Sequence, residues 1–197
     1  YYINITFFPW LEVAYTCTIF DDYVQRGQSL IHRINQDRNF SGRLRLWKEG
    51  WWKEWTPQIV VGVNDFTTGT GGDYTEMGVE GDGNGYFNRW YIAMTKHIEI
   101  KGVGELGIHA AYLYNRRKTY PLNSPAFGIN FRPTFHRNLN LITEYDAKTI
   151  NVGATYSLWA DHFNLLFELQ DGKYISAGFV YKVNLLGGNN WKAKVID

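Results

Sequence analysis

The chain has 197 residues, room for one domain, and a formal net charge of +1, which argues against a nucleic-acid partner. Aromatic residues make up 17% of it, with 14 Tyr and 8 Trp, about twice the share of an ordinary globular chain. Mean hydropathy is −0.34 and no apolar run reaches the roughly 18 residues of a spanning helix; a membrane wall built from strands, needing only about 9–11 half-polar residues per crossing, is not excluded.

Alternation of period two runs through the chain, and it marks strands, because successive side chains of a strand leave on opposite faces. It predicts strands at 1–8, 11–20, 41–48, 57–66, 88–97, 104–114, 125–132, 138–146, 149–158, 162–170 and 174–184. The apolar faces run Ile3, Ile5, Phe7; Val13 to Ile19; Leu44, Leu46; Ile59, Val61, Val63; Trp90, Ile92, Met94; Leu106, Ile108, Ala110, Tyr112; Phe127, Ile129, Phe131; and Leu139, Leu141. The last three strands are the clearest. Ile150, Val152, Ala154, Tyr156 and Leu158 oppose Asn151, Gly153, Thr155 and Ser157, and the rhythm continues through Phe163–Gln170 and Ile175–Val183. Cys17 stands alone, in an apolar position of its strand, and reads as a small buried hydrophobe. The segment 22–36, with Val24, Leu30, Ile31 and Ile34, is read as a short helix.

Connections alternate in length. Pro9–Trp10, His97–Val103, Pro133–Arg137 and Trp159–Asp161 are short, with Gly50–Thr56 a Trp-rich turn on the same side. Asp21–Phe40, Thr67–Phe87 and Asn115–Ser124 are long, while Ala147–Lys148 and Asp171–Gly172 are tight turns on the long-loop side. Strand ends carry Tyr1, Tyr2, Trp10, Trp47, Trp51, Trp52, Trp55, Phe87, Trp90, Tyr114, Tyr120, Trp159 and Tyr174, rings of the kind that favour a membrane–water interface. Dyad strands, two-sided loop lengths and aromatic ends together predict an all-β fold, an antiparallel up-and-down transmembrane β-barrel of about 12 strands. Residues 1–186 form the barrel and 187–197 a C-terminal tail or closing strand. A soluble sandwich or calyx is the competing architecture.

Several stretches look like parts of one family. Phe8-Pro9-Trp10-Leu11-Glu12 within Tyr1–Phe20, then Asp37-Arg38-Asn39-Phe40 and Arg43-Leu44-Arg45-Leu46, resemble runs of the YjbH-like bacterial outer-membrane proteins. So do Pro57–Phe66 with Gly69-Thr70-Gly71, Ala93-Met94-Thr95-Lys96, Ala126-Phe127-Gly128-Ile129 and Glu144-Tyr145-Asp146, in the family's order. The resemblance implies an outer-membrane barrel associated with exopolysaccharide production and without an assigned catalytic residue. In that family a further strand precedes the segment matching Tyr1. Eleven predicted strands also leave the barrel odd, whereas bacterial single-chain barrels close with an even number. The expectation is a strand upstream of Tyr1, with Asn190–Ile196 as the alternative twelfth; the alternation already under way at Tyr1 fits a mature or truncated N-terminus.

The polar residues expected to line the lumen are Glu12, Arg43, Arg45, Lys96, Glu105, His109, Arg132, Glu144, Asp146, Glu168 and Lys182. Both signs occur in comparable number, so mutual pairing, a plug rather than an open selectivity lining, is expected; ions taken out of water unpaired are costly. Asp73, Glu76, Glu80, Asp82 and Asn84 in the Thr67–Phe87 loop lack a calcium-loop spacing and read as solvated surface. Gly69-Thr70-Gly71-Gly72 has no following Lys-Ser/Thr and is not a phosphate loop. His32, His97, His109, His136 and His162 show no metal-ligand spacing. Ser157, Ser176 and His109 share the polar side, but no nucleophile elbow marks a hydrolase.

The reading is therefore a non-enzymatic outer-membrane barrel, without cofactor or metal. It would act as a structural or accessory subunit of an envelope assembly, with outer-membrane lipid, lipopolysaccharide and other envelope proteins as partners. The alternative is a pore for polysaccharide or small solutes.

Overall fold

A computed structural model describes residues 1–26, 29–66, 88–114 and 123–184. The expected acidic loop at 67–87, most of the 115–124 loop and the tail 187–197 lie outside the described residues.

Among the described residues there are eleven strands: β1 (Tyr2–Phe8), β2 (Leu11–Arg26), β3 (Ser29–Trp47), β4 (Gln58–Asn64), β5 (Arg89–Ile100), β6 (Gly104–Tyr114), β7 (Pro125–Pro133), β8 (Leu139–Tyr145), β9 (Ile150–Leu158), β10 (Phe163–Gln170) and β11 (Tyr174–Tyr181). The one helical piece among the described residues is a single 3-10 turn, Thr134–His136. All strands join one antiparallel sheet whose spatial order is the chain order. Direction reverses at every step, so β1 and β11 run the same way. They are not paired with each other, and the sheet is not closed. Even so, Tyr2 of β1 lines one groove with Gly178 and Val180 of β11. The sheet therefore curls until its two edges face each other across the polar side.

The predicted helix at 22–36 and the predicted long loop at Asp21–Phe40 are both corrected. β2 and β3 run on as one hairpin to the pair Arg26↔Ser29. Its register sets Asp22 opposite Arg33 and Val24 opposite Ile31. The apolar residues that suggested a helix face lie within these two paired strands. β1 ends its pairing at Thr16 and β4 at Gly42, so this hairpin projects roughly 30 Å past both neighbours.

Tight turns use the chemistry expected of them. In the three-residue connection between the paired Gln170 and Tyr174, Asp171 and Gly172 both have positive φ, 51° and 64°, the sign that hairpin turns matching strand twist require. Trp159, Ala160 and Asp161 are three consecutive left-handed residues, with φ of 50°, 52° and 71°.

Burial is inverted relative to a protein folded in water. Among the described residues the buried hydrophobics are Cys17 and Ala147, whereas the buried polar ones are Asn39, Thr56, Asp65, Asn151 and Asn164. Large apolar side chains stand exposed along every described strand except β4, whose residues are half-buried, and they include Ile129 and Phe167 at 51% and Phe179 at 67%. Register places them in continuous ranks. Leu106, Phe131 and Leu141 are successive cross-strand partners, and so are Tyr156, Leu165 and Phe179. Among the described residues these apolar ranks continue from strand to strand, and no second layer packs on them.

Candidate functional site

The opposite face holds the polar residues, and alternation alone delivers them there. Glu12 and Arg43 are register partners on β2 and β3 and form an ion pair at 2.5 Å. Tyr91 of β5 lies opposite Gly62 of β4, where any side chain would collide with its ring. Glycine at 62 is what lets that ring lie flat on the sheet. Glu12, Arg43 and Tyr91, with Thr16, Asn39 and Ser41, line a groove of about 350 Å³.

Further along the sheet the contacts are neutral. Thr95 Oγ1 and Asn130 Oδ1 hold the two ring nitrogens of His109 at 2.9 and 2.7 Å, and Asn130 Nδ2 donates to Asn140 at 2.8 Å. This chain crosses β5, β6, β7 and β8 without a formal charge other than any His109 carries. Glu105 and Arg132, cross-strand partners, approach at 3.7 Å. At the short-turn rim Lys182 pairs with Asp161 at 2.8 Å, and Asp161 also accepts from Ser157 at 3.1 Å. Burial pushes the Asp161 carboxyl up, but bonds from Lys182, Ser157 and Asn164 outweigh it and hold it below the ordinary carboxylate range.

Lys96 departs from the expected side. It belongs to the same rank as Trp90, Ile92 and Met94, opposite Ile108, and its ammonium turns to the β3–β4 turn, 3.0 Å from Glu49 and bonded to the carbonyl of Glu54. The polar-face residue at that height is His97. Arg45 sits in the polar rank opposite Val60. Asp146 organises a turn instead of lining a strand: its Oδ1 accepts the amides of Lys148 and Thr149 at 3.0 and 2.8 Å. Burial opposes its charge, yet these bonds and those from Asn151 and Thr149 hold its carboxyl below the ordinary range.

On either side of β9, Glu144 of β8 lies opposite Asn151 and Glu168 of β10 lies opposite Gly153. Neither has a cation within ion-pair distance among the described residues, and Glu144 accepts a bond from Asn151 at 3.4 Å. With Tyr2, Asn151, Ser176 and Gly178 they line a second groove of about 340 Å³. The sequence signalled Glu144 and Glu168 but not Tyr2, Tyr91, Asn130 or Glu49. Asn130 and Tyr91 were readable from parity once their strands were placed; Tyr2 and Glu49 depend on curl and turn geometry that no local pattern carries. Among the described residues no group of three His, Cys, Asp or Glu could hold a metal, and no helix is long and apolar enough to cross a membrane.

The fold and its two faces define a class: a single antiparallel meander sheet with one apolar and one polar face. The profile of the family described as "Exopolysaccharide biosynthesis protein YbjH" (YjbH) matches residues 1–120, and the chain belongs to that family. No curated protein and no solved structure matches it.

Proposed function

We propose that this chain builds the wall of a bacterial outer-membrane β-barrel that serves exopolysaccharide production. In this reading it is a non-enzymatic structural or accessory subunit of an envelope assembly, surrounded by outer-membrane lipid and lipopolysaccharide. The observation that carries the reading is the inverted burial. Burying one Val, Leu, Ile or Phe side chain yields about 1.5–3 kcal/mol, and a stable domain in water obtains this by packing a second layer on the apolar face. Among the described residues this sheet has no second layer, and its apolar ranks remain bare. In lipid that face is the solvated one, and backbone groups are satisfied strand to strand. Aromatic contacts cluster near the short-turn rim: Phe8 stacks on Trp10, and Trp47 with Trp51 and Trp159 with Phe163 meet as tilted pairs.

The deciding experiment is fractionation of the expressed protein, followed by gel migration with and without boiling. A membrane barrel partitions with the outer membrane, needs detergent and migrates faster unboiled. Recovery in the soluble fraction without detergent would refute the reading.

A second reading, a pore for saccharide or small solutes, draws on the two polar grooves of about 340 and 350 Å³. Stable conductance in planar bilayers would favour it over the accessory role.

A further inference from the structure

The groove on β8–β11 differs from the rest of the polar face. Three carboxylates elsewhere on that face meet cations: Glu12 meets Arg43, Glu105 meets Arg132, and Asp161 meets Lys182. In the groove, Glu144 and Glu168 meet none among the described residues, although both are on the walls of one cavity. An ionised carboxylate only accepts hydrogen bonds, so these two ask for a ligand that donates. The floor between them is smooth and partly apolar. Gly153, Gly178 and Ser176 keep it low, and Leu166 and Val180 supply aliphatic surface. A side chain at Gly178 would meet nothing within 4 Å, which shows open space above that point. Tyr2, brought from the opposite edge by the curl, adds a half-exposed ring. The volume, about 340 Å³, falls within the range of small-ligand sites, about 300–1,000 Å³.

We propose that this groove binds saccharide, with Tyr2, Leu166 and Val180 against the C–H face of a sugar ring and Glu144 and Glu168 accepting from its hydroxyls. The choice of saccharide among hydrogen-bond donors rests on the exopolysaccharide reading above. The carboxylates add a selectivity: neutral and amine-bearing sugars are accepted, and uronates are repelled, because like charges at this range in a partly dry groove cost binding. Asn151 is already committed to Glu144, Asp146 and the amide of Asp171, so it holds the wall and does not contact the ligand.

The test is titration calorimetry on the full chain in a zwitterionic detergent, which has no sugar headgroup to compete. The probes are a glucosamine tetramer, maltotetraose and tetragalacturonate. The expected order is glucosamine tetramer tightest, maltotetraose next, and tetragalacturonate weaker by about tenfold or more. Glu168→Gln should remove the preference for the amine sugar, and Tyr2→Ala should weaken all binding by about tenfold, while Tyr2→Phe retains it. Galacturonate binding as tight as the neutral tetramer, no saturable binding of any probe, or indifference to both Glu168→Gln and Tyr2→Ala would overturn the proposal. Migration with and without boiling is read on the same samples. A heat-modifiable protein that binds no saccharide refutes the groove and leaves the barrel standing; a soluble protein that binds refutes the barrel alone.

Discussion

Glu49, in the turn after β3, closes on His97 of β5: its Oε2 lies 2.7 Å from His97 Nδ1, and its Oε1 accepts the His97 amide at 2.7 Å. One carboxylate thus ties a turn to a strand 48 residues later in the chain. Lys96 closes the same turn from the other side through Glu49 and the carbonyl of Glu54. Inside the turn, Gly50 donates to Thr56 and Thr56 to Lys53, so Trp51, Trp52 and Trp55 are held out from a fixed frame, each about two-thirds exposed.

Removing the clasp should therefore loosen the turn. Glu49→Ala is expected to lower stability by about 1–3 kcal/mol, read as a shifted guanidinium midpoint, with faster proteolysis after Lys48 and Lys53. Burial pushes the Glu49 carboxyl up, but bonds from His97 and Lys96 outweigh it and hold it below the ordinary value, which is about 4.3. A carboxyl depressed by folding stabilises above its unfolded pKa and loses that contribution as pH falls through the folded one. The difference between wild type and Glu49→Gln should be full above about pH 5 and shrink toward pH 3. A constant difference across that window would rule out the charge as the cause.

The bare apolar face makes a second prediction with opposite outcomes for the two solvents. Ile129 is mid-strand in β7, between Ile108 and Thr143, and half exposed. In lipid, Ile129→Lys should cost about 2–4 kcal/mol. On a water-facing strand the same change should stay within about 0.5 kcal/mol. Reversible denaturation from lipid vesicles measures the difference, and a neutral Lys at 129 would deny this face its lipid.

Much of the fold was legible because it is local. Eleven strands and their faces followed from period two, since each strand pairs only with its chain neighbours and alternation needs no distant information. The exception, 22–36, carried apolar residues at spacings that satisfy a helix as well as a strand; only the partner strand decides, by pairing Asp21–Arg26 with Ser29–Ile34. Side chains at strand ends were less legible. Lys96 was assigned by its charge against its own parity, and it reaches the polar turn only because its stem is long enough to leave the apolar rank. Tyr2 and Glu168 share a groove through the curl of the whole sheet, a property summed over ten strand pairings and absent from any one of them.

Two glycines of the groove should respond differently to the same methyl. A Cβ on Gly153 would sit 2.7 Å from the carbonyl oxygen of Phe167, whose backbone is held in the β9–β10 ladder. Gly153→Ala should cost about 1–3 kcal/mol, because the strands must part to admit it. Gly178→Ala meets nothing within 4 Å and should stay within about 0.5 kcal/mol. Equal effects in thermal or denaturant unfolding would mean that close β9–β10 approach does not govern this region.

The β9–β10 turn stores strain that a substitution can release. Ala160 has φ 52° between two other left-handed residues, and that conformation costs a non-glycine residue about 1–2 kcal/mol. Glycine removes the clash but adds about 0.4–1 kcal/mol of unfolded-state entropy, so Ala160→Gly should stabilise by about 0.5–1 kcal/mol. Asp161 shares the conformation at φ 71° and also binds Lys182 and Ser157. Asn tolerates left-handed backbone as Asp does, so Asp161→Asn isolates the charge. It should cost at most about 1 kcal/mol, since the Lys182 pair is exposed. Asp161→Val, β-branched at a positive φ, should cost more than Asp161→Asn. If Ala160→Gly destabilises while Asp161→Asn costs the larger amount, the turn is held by its ion pair and not limited by its backbone.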